Sequence, residues 1–285
     1  MSWIIAGDEK NGLLDIYPGA AAAYSLRNLQ GRSGKDSAVV RVRRDNDDTE
    51  ADFTAAEVSD GSLAAWVGAG NDGFVRTWYD QSGNNYHAIQ ATGANQPKIV
   101  NSGSLVEEGG KTVIEFDGIN DSLRADSLAS GASGTDIAVS AFCLWSTASP
   151  ASPYDVIFGF GNTANPNSGF WAGGGGGILQ LVRKDNTGGL LGLSANVQST
   201  QALLIESVLS IGDTTSFYYN GSLSQSGTES LENNTLNTFA IGSLVRTSVG
   251  NELLGNVSEL ILYYSNQSTN RDAIESNINA HYNIF

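Results

Sequence analysis

Val113-Ile-Glu-Phe-Asp-Gly-Ile-Asn-Asp-Ser-Leu123 decides how this chain is read. Val113, Ile114 and Phe116 are β-branched or aromatic, the types that pack on a pleated, half-buried surface. Asp117, Gly118, Asn120 and Asp121 come next, and such residues bond their own backbone or tolerate positive φ. An apolar strand therefore enters a tight turn and returns as a second strand at Leu123.

Working outward, Phe239-Ala-Ile-Gly-Ser243 reads as a strand ending in a glycine turn, and Gly255 to Tyr264 as a long strand. In strict alternation Val257, Glu259, Ile261 and Tyr263 share one face, with Ser258, Leu260, Leu262 and Tyr264 on the other. Both faces become apolar toward the end, which predicts cover on both sides. Thr269 to Asp272 has capping-box spacing, and Ile274, Ile278 and Tyr282 form a helical stripe that closes the chain. Upstream, the alanine-rich stretch Ala20 to Leu29, between Pro18 and Gly31, carries the signals of a helix. Val39 to Arg44 alternates like a strand, Ser62 to Val67 reads as a helix stopped by Gly68, and Phe74 to Ala88 as a strand, a polar turn at Asp80 to Gly83, and a return.

The F-D-G-x-N-D-x-L corner at 116–123, with the G-x-V-x-E-L-x-L-Y strand at 255–263 and its closing helix, resembles the concanavalin A-like, laminin-G-like sandwiches over about residues 112–285. The series A-Y-S-L-R, V-R-V-R-R and W-Y-D-Q-S-G-N is similar to the start of the catalytic domain of B-type α-L-arabinofuranosidases. It is closer still to a group of phage structural proteins in which that start precedes a laminin-G-like sandwich. The resemblance implies an all-β, jelly-roll-like antiparallel β-sandwich with an N-terminal helical and strand elaboration and a short C-terminal helix. Residues 17–285 would be one elaborated domain, with 17–111 the elaboration and 112–285 the core. Residues 1–16 would be an arm whose Trp3, Ile4 and Ile5 anchor it in a homo-oligomer or on other virion proteins; an extra edge strand is the alternative.

Composition narrows the partners. A net charge of −15 in 285 residues argues against nucleic acid, whose phosphates call for a basic surface. The run Arg41, Arg43, Arg44 is expected to pair locally with the acids that follow it. Cys143 is the only cysteine, so no intrachain disulfide can form. The N-terminus lacks signal-peptide features and no stretch reaches a membrane span, which together suggest synthesis in the host cytoplasm and release with a virion.

Several residue groups could do chemistry. His87 with Ser82 and Asp80 lacks a nucleophile-elbow pattern, and His281 sits near the end of the last helix, where the dipole accounts for it. Glycoside hydrolysis needs paired carboxyl groups, and Asp80, Glu115, Asp117, Asp121, Glu206, Asp213 and Glu259 are the candidates. Turn bonding explains the aspartates, and Glu115 and Glu259 are expected to point to solvent or a neighbouring strand. Asp117, Asn120 and Asp121 offer hard oxygens for calcium, the one cofactor considered, against a metal-free turn. Phe170 and Trp171 before the glycine run, with Trp145 and Tyr154 around a Pro150/Pro153 loop, are candidate sugar-stacking aromatics or core residues. The expected function is a non-catalytic virion protein, in capsid decoration, a head or tail fibre or adhesion, that binds host surface glycan; a glycan-cleaving virion depolymerase is the alternative.

Overall fold

The computed structural model describes residues 11–134, 138–147, 155–175, 177–196, 203–210, 214–228 and 233–285. Strands dominate, and hydrogen bonding links most of them, antiparallel, into one sheet folded as two layers. The first layer runs Ser222–Thr228, Thr214–Tyr219, Leu203–Ser210, Ala138–Thr147, Leu254–Tyr263. Ile114–Asp117 and Ala22–Ser25 share the outer edge of that last strand. The second layer runs Leu190–Asn196, Ile178–Lys184, Gly169–Gly175, Asp155–Gly161, Thr238–Ile241, Leu123–Arg124. Ala88–Ile89 carries it to Gly73–Trp78, which also pairs with Ala38–Arg44 and Lys98–Asn101. The expected antiparallel sandwich is what forms.

The two sequence landmarks are neighbours in this fold. Ile114–Asp117 pairs with the long strand in the register Ile114 to Val257 and Phe116 to Gly255. Gly118 has φ +74°, and a Cβ on it would lie 2.8 Å from the Leu254 Cβ. Gly242, at φ +82°, packs so closely that a Cβ would collide with the Phe116 ring. Both glycines are needed because backbone and ring occupy the space of a side chain.

Leu254–Tyr263 is covered on both sides, as its sequence suggested. Val257, Leu260 and Leu262 join Cys143, Phe158, Phe160 and Phe217 in the main core. Ile261 and Tyr263 join Phe142, Leu144, Leu29, Leu13, Ile274 and Ile278 in a second cluster under the C-terminal helix. The alternation is not strict: Leu144 pairs with Glu259 but Trp145 with Val257, so a β-bulge absorbs Ser258. The bulge turns Val257 to the side of Leu260 and away from Ile261.

Ala20 to Leu29 is not a helix. Ala22–Ser25 is a strand paired with the long strand, Ala22 opposite Leu262 and Ser25 opposite Glu259. Every residue from Ala20 to Leu26 is buried, and small side chains let this strand sit between the helix and the core. Packing and ladder bonds overrode local propensity. Ser62–Val67 is the expected helix, and the closing helix spans Arg271–Tyr282. Its N-cap is Asn270, with no side-chain cap bond, so the Thr269 spacing is not a capping box. A real box forms where the sequence reading placed none, at Thr54 and Glu57, opening the helix Ala55–Ser59.

The W-Y-D-Q-S-G-N motif serves as a fastener. Asp80 Oδ1 accepts from the amides of Ala23 and Ser82, and Oδ2 from the Ser82 hydroxyl and the Tyr86 amide. Gln81 accepts from the Leu29 amide and donates to the carbonyls of Ser25 and Arg27. Asn84 donates to the carbonyls of Ala20 and Ala21. The arginine run pairs locally: Arg41 with Asp52, Arg43 with Asp48 and Arg44 with Asp47, each at 2.7 Å. Among the described residues no helix is long and apolar enough to cross a membrane.

Candidate functional site

A cleft of about 960 Å³ opens beside the F-D-G-x-N-D corner. Glu115, Asp117 and Asp121 line it together with Arg43, Lys98, Phe74, Gln96 and Asn256. Strand alternation explains the first of these. Ile114 and Phe116 point into the core, so Glu115 must point outward. Pairing places Glu115 opposite Asn256 on one neighbouring strand and opposite Lys98 on the other.

The three carboxylates have different surroundings. Asp117 Oδ1 accepts from the amides of Ile119 at 2.8 Å and Asn120 at 3.3 Å, the turn bonding expected from sequence. Asp121 is 6% exposed. Its Oδ2 accepts from the Asp117 amide at 3.0 Å, while Oδ1 has no hydrogen-bond partner among the described residues. Burial, followed by the nearby charge of Asp117, pushes the Asp121 carboxyl up from 3.8 to about 6. Glu115 makes no side-chain hydrogen bond or ion pair with any described residue. One cleft thus holds a carboxyl that keeps its proton to near-neutral pH beside a carboxylate with no partner.

Two cations also line the cleft, each held by local partners. Arg43 donates to Gln96 at 2.8 Å and to the Gly93 carbonyl at 3.2 Å, and lies 5.1 Å from the centroid of the Phe74 ring. Lys98 pairs with Asp72 at 2.7 Å and lies 5.7 Å from the same centroid. Such placements favour the cations by about 0.5–2 kcal/mol each.

The other candidates fall elsewhere. Glu259 is not at the surface: it is 1% exposed, and accepts from Ser25, Arg27 and Tyr282. His281 is half-buried, and burial with the charges of Arg27 and Lys111 lowers it to about 4. It is therefore neutral near pH 7, and the charge–dipole explanation from sequence does not apply. His87 Nδ1 accepts from the Asp80 amide at 3.1 Å, and the Asp80 oxygens are taken by the amides of Ala23, Ser82 and Tyr86. Phe170 and Trp145 are core residues, 2% and 6% exposed. Trp171 is half-buried, with the Arg246 guanidinium 5.5 Å from its ring centroid. Trp3, Ile4, Ile5, Tyr154 and Asp213 lie outside the described residues, as does the side chain of Glu206. Among the described residues no group of three or more His, Cys, Asp or Glu is arranged to hold a metal ion, and Asp117 of the calcium candidates is committed to turn amides.

No protein-family model matches the chain, and no curated protein sequence matches it. Solved structures do. An arabinofuranosidase complexed with arabinofuranosyl-α-1,2-xylobiose aligns over 94% of this chain and 64% of its own, with TM-score 0.68 and 17% identity. A GH54 α-L-arabinofuranosidase soaked with a cyclic sulfate inhibitor aligns over the same shares, with TM-score 0.64 and 16% identity. The chain spans less than two thirds, 64%, of the length of these structures. They define its class by fold alone, an antiparallel β-sandwich. The expectation of a non-catalytic protein is corrected by them, because the structures matched over nearly the whole chain are glycoside hydrolases.

Proposed function

We propose that this chain hydrolyses glycosidic bonds in the cleft beside the F-D-G-x-N-D corner. The observation that carries this is the pairing of Asp121, held up to about 6, with the unpartnered Glu115 in one open cavity. Two carboxyl groups whose surroundings separate their proton affinities are the arrangement that acid–base cleavage of an acetal requires. Asp121 gives its proton to the glycosidic oxygen as the bond to the anomeric carbon breaks. Glu115 takes a proton from the water that adds to that carbon. Asp117 seats Asp121 through its amide and adds a neighbouring charge that helps Asp121 keep its proton. Direct attack by that water, with no covalent intermediate, inverts the anomeric centre.

Arabinofuranosides are the first substrates to try, given the proteins whose structures match. A virion setting for this cleavage draws on the N-terminal resemblance alone, and immunogold labelling of intact particles tests it. The activity itself is tested by release of reducing sugar from a panel of arabinose-, xylose- and hexose-containing glycans. The reading expects release from at least one of them and an inverted anomer in the product by proton NMR. No release from any, at any pH between about 4 and 8, defeats it.

A further inference from the structure

Lys98 and Glu115 stand directly opposite one another on paired strands. Side chains so placed have Cβ atoms about 4.5–5.5 Å apart, and opposite charges there normally attract. These two do not pair. Lys98 Nζ lies instead 2.7 Å from Asp72 Oδ2, and Asp72 is held in turn by the Ser102 amide, 2.7 Å from its Oδ1. The Asp72 amide is itself tied to Asp45 at 3.0 Å, so the acceptor that draws Lys98 away is fixed at both ends.

We propose that Asp72 is a positioning residue for the cleft: it holds Lys98 away from Glu115 and so leaves the Glu115 carboxylate open to the reacting water. Lys98 still places a positive charge on the cleft wall beside Phe74, without forming the short contact that would tie up the base. This rests on the hydrolytic reading of the cleft, and it explains why Glu115 has no partner although a cation faces it. An opposite charge in direct contact makes a carboxylate a weaker base by roughly ten- to a thousandfold, so the restraint has a functional effect.

The test is the full chain carrying Asp72→Asn, alone and with Lys98→Gln. A crystal structure of Asp72→Asn is expected to show Lys98 Nζ within 4 Å of a Glu115 oxygen. With an aryl glycoside, kcat is expected to fall about tenfold or more with KM within about twofold, and the acidic limb of the pH–rate profile to move to lower pH. Asp72→Asn/Lys98→Gln is expected to recover most of the lost kcat, because the competing cation is gone. A purely structural Asp72 would lower stability in both variants and give no recovery. The inference is overturned if Lys98 stays clear of Glu115 in the crystal or if removing Lys98 restores nothing. Full activity in Glu115→Gln would instead defeat the hydrolytic reading, whatever Lys98 does.

Discussion

Two carboxylate-bearing regions flank the same long strand and have opposite characters. Around Glu259, Arg27 contributes Nε at 2.7 Å and Nη2 at 2.8 Å, and the Ser25 hydroxyl adds a third bond at 2.7 Å. Asn277 on the closing helix takes the remaining Arg27 arm at 2.9 Å. That cluster fastens the N-terminal strand, the long strand and the last helix together, and it gives both Glu259 oxygens charged or hydroxyl partners within the fold. At the other end of the strand, Asp121 has one bonded oxygen, Glu115 has none, and both face the cleft. The contrast teaches that an acidic side chain here is structural when its oxygens are filled and available for chemistry when they are not.

The largest stability effect is expected at the filled cluster. Glu259→Gln leaves the Arg27 guanidinium, whose side chain is 15% exposed, without its counter-charge, and breaking a buried pair costs about 3–5 kcal/mol. Urea denaturation measures it, and a loss under about 1 kcal/mol would contradict the role given to Glu259. Next comes Asp80→Ala, which strands the amides of Ala23, Ser82 and Tyr86. A loss of about 2–3 kcal/mol is expected from those unsatisfied donors, with a matching drop in Tm.

Asp121→Asn should act in the opposite direction. The folded chain holds this proton up to about 6 against an ordinary value of 3.8. The stability it contributes is therefore full below pH 3.8 and lost as pH rises through about 6. Full coupling would amount to about 3 kcal/mol, and solvent at the open cleft reduces that to about 1–2 kcal/mol. The asparagine variant should match the wild type near pH 4 and exceed it by that amount at pH 7.5. Equal stability at both pH values would remove the burial argument. The smallest effect is expected for Arg41→Ala, whose ion pair with Asp52 is about 40% exposed on both sides. Such pairs contribute about 0.2–1 kcal/mol, screened further by salt.

Much of the fold was legible because its signals are local. The Asp117-Gly118 turn, the strand ending at Gly242 and the stripe Ile274, Ile278 each depend on chemistry within a few residues. Ala20 to Leu29 was misread for the converse reason. Its helix signals are local, but Leu254–Tyr263, more than 200 residues away, supplies the ladder that made it a strand. The bulge at Ser258 likewise comes from pairing with Ala138–Thr147, which nothing in the strand itself announces. As for the site, Glu115, Asp117 and Asp121 stood among the candidate carboxylates. Their meeting with Arg43, Phe74 and Lys98 is a product of strand order, which no spacing along the chain encodes. The turn bonding expected to account for Asp121 fills only one of its oxygens, through the Asp117 amide, and that difference needs coordinates to be seen.

The central claim, that the open carboxylates react and the filled ones hold the fold, comes down to one pH–rate measurement. Initial rates of glycoside hydrolysis from about pH 4 to 8 are compared for the wild type, Glu115→Gln and Asp121→Asn, each shown to be folded by its thermal transition. The wild-type rate is expected to decline as pH rises through about 6, where Asp121 loses its proton. A loss of about a hundredfold or more is expected in either variant without loss of folding, as removal of a paired catalytic carboxyl entails. A wild-type rate that stays flat through pH 6, with both folded variants retaining it, would contradict the account.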